Sequence, residues 1–198
     1  MAANPGSVTL ILGGARGGKS AWAEKLAIRS GRPVVFLATA TAGDAEMAAR
    51  IAAHRANRPA DWRTVEEPLL LTRAVQQHAH PGDLLLVDCL TLWVSNVVLA
   101  RIGTRDPEGL PANEWRPLED ELCAAVEALI EMARAANVSL ILVSNEVGLG
   151  IVPAFPLGRL YRDLLGQVNR VAAGHADSVI FMIAGLPVDL RRLAADLP

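Results

Sequence analysis

Apolar residues fall into short unbroken runs along this chain, and segments of helical spacing separate them. Val8–Leu12, Pro33–Ala38 (PVVFLA), Asp83–Val87 (DLLLV), Val138–Val143 (VSLILV) and Ser178–Ile183 (SVIFMI) are each five or six residues long. Runs of that length, bounded by turn-forming residues, predict strands. Between them, Ala21–Arg29, Asp44–Asn57, Leu69–His78, Leu90–Arg101, Glu114–Ala136 and Leu157–Ala173 predict helices, with Met47 and Ile51 four apart in the second. Gly103–Asn113 carries Gly, Pro and charge and predicts an exposed loop. Strands that are apolar at nearly every position are buried on both faces. Their alternation with helices predicts an α/β fold: a mainly parallel sheet with flanking helices. No repeat, low-complexity tract or domain boundary interrupts the pattern, so one domain over residues 1–198 is expected. Sheets of this kind bind ligands beyond the carboxyl ends of their strands. Attention therefore falls on Gly13–Ser20, Thr39–Ala42, Asp88 and Asn145–Gly150.

Composition narrows the function classes. The 198 residues are 52% hydrophobic, which suits a packed core and argues against disorder. A net charge of −2 provides no global basic field for nucleic acid or an anionic membrane. Trp22, Trp62, Trp93 and Trp115 are scattered and not interleaved with Arg or Lys, so no nucleic-acid partner is expected. The longest apolar runs break at Asp88 and Asn96, short of a membrane span. Cys89 and Cys123 have neither CxxC spacing nor histidines around them, which argues against zinc and for a reduced compartment. The N-terminal MAANPGS shows no signal-peptide pattern, and a cytoplasmic location is expected.

The first run leads into chemistry. Gly13, Gly14, Ala15, Arg16, Gly17, Gly18, Lys19 and Ser20 fit G-x-x-x-x-G-K-[ST] in full, with a strand before and a helix after. In such a loop the glycines let backbone N–H groups turn inward around an anion, and the helix N-terminus adds favourable partial charge. Lys19 would reach the β- and γ-phosphates of a nucleotide, and Ser20 would ligate Mg²⁺. Asp88 ends an apolar strand, where a carboxylate is the usual partner for that Mg²⁺. The plainer alternative for Asp88 is a strand-end or capping residue. Ala38, Thr39 and Ala40, at the end of the second strand, join the nucleotide-binding candidates. The pattern implies a nucleoside triphosphate and Mg²⁺ without saying what is transferred.

A second constellation lies at Glu46–Pro68. On a helix, Arg50, His54 and Arg58 follow one another at four-residue spacing along one side, with Arg55 adjacent. A histidine among arginines is disfavoured as a cation and stays neutral near pH 7. Neutral imidazole is a nucleophile, and the arginines could hold the phosphates of the nucleotide under attack. The alternative is an ordinary surface helix with an incidental histidine. His78, His80 and His175 suit loop or helix-end positions and receive no role.

The segments GGARGGKS, DAEMAARIAAHRANRPADWRTVEEP, LLLVDCLTLWVSN, VSNEVGLGIVP and YRDLLGQVN occur in that order. Together they resemble the bifunctional adenosylcobinamide kinase/adenosylcobinamide-phosphate guanylyltransferase family of cobalamin biosynthesis. The resemblance runs from Thr9 to Pro187, and its specific parts are the H-x-x-x-R-P-x-x-W-R-T-x-E block and NEVG-x-GIVP. It implies a P-loop NTPase fold and two reactions at one nucleotide site, with ATP or GTP as phosphate donor and GTP as guanylyl donor. Adenosylcobinamide is phosphorylated on its aminopropanol hydroxyl. GTP then places GMP on a histidine, and adenosylcobinamide phosphate takes it up to give adenosylcobinamide-GDP. The resemblance makes His54 the guanylylated residue, has Arg55, Ala56, Asn57 and Arg58 hold nucleotide phosphates, and places Glu66 against the nucleotide. A carboxylate at Glu66 can accept from guanine N1–H and N2–H; its alternative is a solvated Glu. The resemblance also implies a homotrimer. Arg159, Arg162 and Asp163 come soon after Asn145-Glu146-Val147-Gly148 and would shape the corrinoid side or a subunit interface; the alternative for Arg159 and Arg162 is a solvated helix face.

Two departures stand out. Gly17 occupies a position where the family usually has Ser, which leaves the backbone free to turn and predicts a modest effect on affinity. Asp88 replaces the Glu of some relatives on a shorter arm. Two other functions fit parts of the pattern: a small-molecule P-loop kinase without a covalent histidine, and a nucleotide-dependent switch. Neither requires a nucleophilic histidine in the RIAAHRANRP block.

Overall fold

The computed structural model describes residues 6–41, 45–56, 58–105 and 115–195. Their elements are β1 (Val8–Gly13), α1 (Lys19–Ser30), β2 (Val34–Ala38), α2 (Ala45–Ala56), β3 (Arg63–Glu66), α3 (Leu71–His78) and β4 (Leu84–Asp88). After these come α4 (Leu90–Ile102), α5 (Arg116–Ala135), β5 (Ser139–Val143), α6 (Pro156–His175), β6 (Ser178–Ile183), β7 (Leu186–Asp189) and α7 (Leu190–Leu193). The strands form a seven-stranded sheet in the order β3-β2-β4-β5-β1-β6-β7. All pairs are parallel except β6 with β7.

The apolar runs became the inner strands because only there does a strand bury both faces. β2 and β5 are buried at every residue, and β4 at all but Asp88. Alternate residues feed two cores. Leu10, Leu12, Val35, Leu37, Leu85, Val87, Leu140 and Leu142 face α3, α4, α5 and α6. Ile11, Val34, Phe36, Leu84, Leu86, Ile141 and Val143 face the side where α1 packs through Ala23 and Ala27. On α5 the buried set Leu118, Leu122, Val126, Leu129, Ile130 and Ala133 recurs every three or four residues and makes one apolar stripe.

The two strands absent from the hydrophobic pattern, β3 and β7, occupy the sheet's two edges. β3 (RTVE) is four residues long with no buried position. β7 contains Pro187, tolerated where one side of a strand goes unpaired. The expected loop is outside the described residues from 106 to 113, as are Ala42 and Asn57. Among the described residues no helix is long and apolar enough to cross a membrane.

Trp93 on α4 is 2% exposed, and its indole N–H donates to Leu69 O at 2.9 Å. Trp93→Ala removes that packing and the bond together and is expected to cost about 3–5 kcal/mol in urea unfolding. Trp93→Phe keeps most of the volume but orphans a carbonyl, and should cost about 1–3 kcal/mol.

Candidate functional site: a phosphate cleft at the carboxyl edge

β1 leaves the sheet through Gly13, whose φ is 144° and whose added Cβ would lie 2.5 Å from Met182 O on β6. The chain then loops over the strand end. Gly17 N–H and the Lys19 ammonium both donate to Gly14 O, at 3.2 and 2.7 Å. Gly18, with φ 88°, caps α1 without a side-chain hydrogen bond, and no acidic residue stands in the first turn. The N-terminal N–H groups of α1 are therefore left for an anion, with the helix dipole behind them. Lys19 is 8% exposed, and burial pulls its pKa below the usual lysine value against the opposing pull of Cys89 and Asp88.

The loop forms one wall of a cleft of about 690 Å³. Ala15, Arg16, Gly17, Gly18, Lys19 and Ser20 line it, with Ala38 and Ala40 beyond β2, Asp88 at the end of β4, and Arg58. Register brings Asp88 level with Ala38 on one side and Val143 on the other. Ser20 and Asp88 offer a hydroxyl and a carboxylate to one space. This all-oxygen set suits Mg²⁺, which takes few protein ligands and completes its shell with phosphate and water. Among the described residues no three His, Cys, Asp or Glu side chains gather as a metal group, so an ion there would depend on the nucleotide's own oxygens.

Polar ties fix the strand ends. Thr39 is completely buried; its hydroxyl donates to Cys89 O at 2.8 Å and accepts from Cys89 N–H at 2.9 Å. It thus builds the floor of the cleft and is not among the lining residues. Asn96 Nδ2 donates to Thr39 O at 2.8 Å and to Pro68 O at 3.2 Å. The Asp88–Cys89 peptide is cis. Burial, assisted by the Asp88 charge, pushes the Cys89 thiol up to about 11.

Toward β2 and β3 the cleft changes character. The Arg58 guanidinium stacks 3.5 Å from the centre of the Phe36 ring, and Phe36 stacks in turn on Trp62 at 6.3 Å. Burial lowers the Arg58 pKa, opposed first by the negative charge of Asp88. Arg55 and Glu66 are exposed and pair with each other at 3.7 Å, outside the cleft lining. His54 and Ala56 lie on α2. The placement of the His54 side chain is outside what the structure describes.

The structure thus gathers the loop, Ala38, Ala40, Arg58 and Asp88 around one space and leaves Arg55 and Glu66 at its rim. Phe36, Cys89, Thr91 and Leu92 also line the cleft without having been singled out in the sequence. Phe36 was accessible to pattern: it stands two residues before Ala38 and so shares its face.

Residues 9–190 match the model of the cobinamide kinase / cobinamide phosphate guanyltransferase family. The chain belongs to this family. It is therefore an enzyme among the bifunctional kinases and nucleotidyltransferases of cobalamin biosynthesis. It is 47% identical over 182 residues to the bifunctional adenosylcobalamin biosynthesis protein CobP of Pseudomonas aeruginosa, covering 92% of this chain and 96% of that one. It is 38% identical over 184 residues to CobU of Escherichia coli, covering 92% and 98%. Among solved structures it is similar to an ATPase domain, with a TM-score of 0.52 and 17% identity, over 90% of this chain and 69% of that one. This last likeness shows the P-loop NTPase type of fold.

Two glycine substitutions separate parts of the loop. Gly13→Ala forces a Cβ against the Met182 carbonyl, so a loss of about 2–4 kcal/mol and at least a tenfold weaker GTP affinity are expected. Gly17→Ser places its Cβ 3.0 Å from Gly14 O with no left-handed φ to overcome. It should change stability by about 1 kcal/mol or less and leave affinity within a few-fold. Thermal unfolding and titration calorimetry read both. Cys89 is tested by its reactivity. With its pKa raised from 9.0 to about 11, its thiolate fraction at pH 8 is about a hundredfold below that of an unshifted thiol. Alkylation of Cys89 followed by peptide mass mapping should be slow at pH 8 and accelerate toward pH 10–11.

Proposed function

We propose that this chain, as one P-loop nucleotide-binding domain, phosphorylates adenosylcobinamide with ATP or GTP and then guanylylates the product. In the first reaction the aminopropanol hydroxyl oxygen attacks the γ-phosphorus and releases its proton to solvent. The bond from that phosphorus to the bridging oxygen breaks, and the nucleoside diphosphate leaves. In the second, the His54 imidazole attacks the α-phosphorus of GTP, and pyrophosphate leaves. A phosphate oxygen of adenosylcobinamide phosphate then attacks the guanylyl phosphorus. The P–N bond breaks, its electron pair returns to the ring nitrogen so that His54 is again a neutral imidazole, and adenosylcobinamide-GDP departs.

The observation that carries this proposal is the cleft itself, in a chain of this family. An uncapped helix N-terminus, Lys19, Ser20, Asp88 and Arg58 meet at one end of the sheet. The backbone N–H groups of residues 14–20 and the Lys19 ammonium would hold the β- and γ-phosphates, where charge builds in either transfer. Arg58, flattened on Phe36, presents a fixed fork of donors toward the α-phosphate side. Ser20 and Asp88 would hold Mg²⁺, which would neutralise phosphate charge. Ala38 and Ala40 would supply the edge along which the nucleotide lies, above the floor that buried Thr39 builds. Arg55, Ala56 and Asn57, next to His54 in the sequence, would hold the same phosphates, and Glu66 would accept from the guanine edge once released from Arg55. We further propose that the enzyme works in the cytoplasm as a homotrimer.

The test is incubation with Mg²⁺ and GTP labelled at the α-phosphate, beside a His54→Ala variant, read by denaturing gel and mass spectrometry. Wild type should carry an acid-labile guanylyl group and the variant none, while the variant keeps phosphorylation of adenosylcobinamide. No label on a wild-type chain that demonstrably binds GTP would overturn the covalent mechanism.

A further inference from the structure

β5 lies between β4 and β1, so whatever follows β5 emerges between Asp88 and the phosphate loop. Val143 pairs with Ile11 on one side and with Asp88 on the other. Asn145 stands two residues farther, about 7 Å beyond that line, and so at the depth where the loop begins. It lines the cleft along with Lys19, Ser20 and Asp88.

The backbone around Asn145 is gripped from four directions. Ser144 N–H donates to Ile11 O at 2.9 Å, and Glu146 N–H donates to Gly13 O at 3.1 Å. Asn145 N–H donates to Thr91 Oγ1 at 2.7 Å, and its carbonyl accepts from Asn169 Nδ2 at 2.9 Å. The partners are themselves anchored: Asn169 is 5% exposed, and Tyr161 OH donates to Thr91 O at 3.0 Å. Both main-chain polar groups of Asn145 are thereby used within the protein. The carboxamide is the polar group it brings to the cleft, carried on a backbone that cannot drift.

The sheet also says which end of a nucleotide meets it. The aromatic and guanidinium stack of Phe36, Arg58 and Trp62 stands on the β2 and β3 side of Asp88. The uncapped α1 N-terminus and Lys19 stand on the other side, with Asn145. An uncharged amide beside a lysine and a helix N-terminus can donate to a phosphate oxygen without opposing their charge.

We propose that the Asn145 carboxamide contacts the terminal phosphate of a bound nucleoside triphosphate and makes the cleft distinguish tri- from diphosphate. This rests on the proposal that the cleft holds a nucleoside triphosphate.

The experiment is calorimetric titration, with Mg²⁺ and no corrinoid acceptor, of the whole chain and of Asn145→Ala and Asn145→Asp, using GDP and a GTP analogue with a non-hydrolysable α–β bridge. Asn145→Ala should lose about tenfold in affinity for the analogue and stay within twofold for GDP. Asn145→Asp, which sets a carboxylate against the phosphate, should lose more for the analogue than Asn145→Ala does. The unchanged GDP affinity also shows that the variant is folded. Equal losses for both nucleotides would mean a structural role and overturn the assignment, as would no loss for either. A wild-type chain that binds neither nucleotide would overturn the nucleotide reading itself and this contact with it. A wild-type chain that binds both, with no analogue-specific loss in the variants, would overturn the contact alone.

Discussion

The absence of a side chain at residue 13 is the constraint on which the site depends. β1 and β6 run so close there that a Cβ would meet the Met182 carbonyl at 2.5 Å. That closeness lets the chain leave β1 sharply, with φ at 144°, and return over the strand end as a loop closed by the Gly17 N–H bond to Gly14 O. The direction of α1 follows, and so does the position of Lys19 at its first residue. The same glycine holds the neighbouring strand exit, because its carbonyl accepts from Glu146 N–H at 3.1 Å. A single packing contact on the β6 side thus places two walls of the cleft relative to each other.

The remaining walls are set by hydrogen bonds to buried polar side chains. Thr39 closes a two-way link between the ends of β2 and β4, and Asn96 fastens Thr39 to the segment before α3. Thr91 and Asn169 do the same for the exit from β5. Buried hydroxyls and amides are costly unless paired, so these bonds admit few alternative arrangements, although Asn169 Oδ1 and Ser144 Oγ at the β5 exit are buried without a partner among the described residues. Such rigidity suits a site for phosphoryl chemistry, where the protein works mainly by holding charges in place before the reaction. It also explains the neutral Cys89 thiol: the packing that fixes its backbone removes the water a thiolate would need.

The inner strands and most helices were legible in the sequence because burial on both faces leaves an uninterrupted apolar run. β3 and β7 were not, since an edge strand of four residues need not be an apolar run: RTVE carries two charges, and LPVD is interrupted by Pro187 and ends in Asp189. The phosphate loop was legible in full because its chemistry is local: one turn, one helix start, one lysine. Asp88 was legible from its place after a strand. The stack of Arg58, Phe36 and Trp62 was not, because it joins three segments whose proximity only the β2–β3 pairing creates. Thr39 stood in the right segment, but its inward turn depends on Cys89, 50 residues away. The importance of His54 came from the resemblance, since a histidine among arginines on a helix specifies no reaction by itself.

On the proposed mechanism, two transfers at one cleft make opposite demands on the same nucleotide. Phosphorylation would need the γ-phosphorus open to the acceptor, while guanylylation through a histidine would need the α-phosphorus open and the terminal phosphates held as a leaving group. The strand order offers a physical division between these demands. Strands lie about 4.8 Å apart, so the edge from β1 through β5, β4 and β2 to β3 spans roughly 19 Å. Lys19 and the α1 N-terminus stand at one end, Asp88 near the middle, and Arg58 with the β3 edge at the other. A nucleotide laid along that edge, as proposed, would keep its terminal phosphates over Lys19 and the uncapped helix N-terminus. Its α-phosphate would fall toward Arg58 and the helix that carries His54. On this arrangement the two reactions need not exchange one binding mode for another. They would differ in which phosphorus is approached, and from which strand's side.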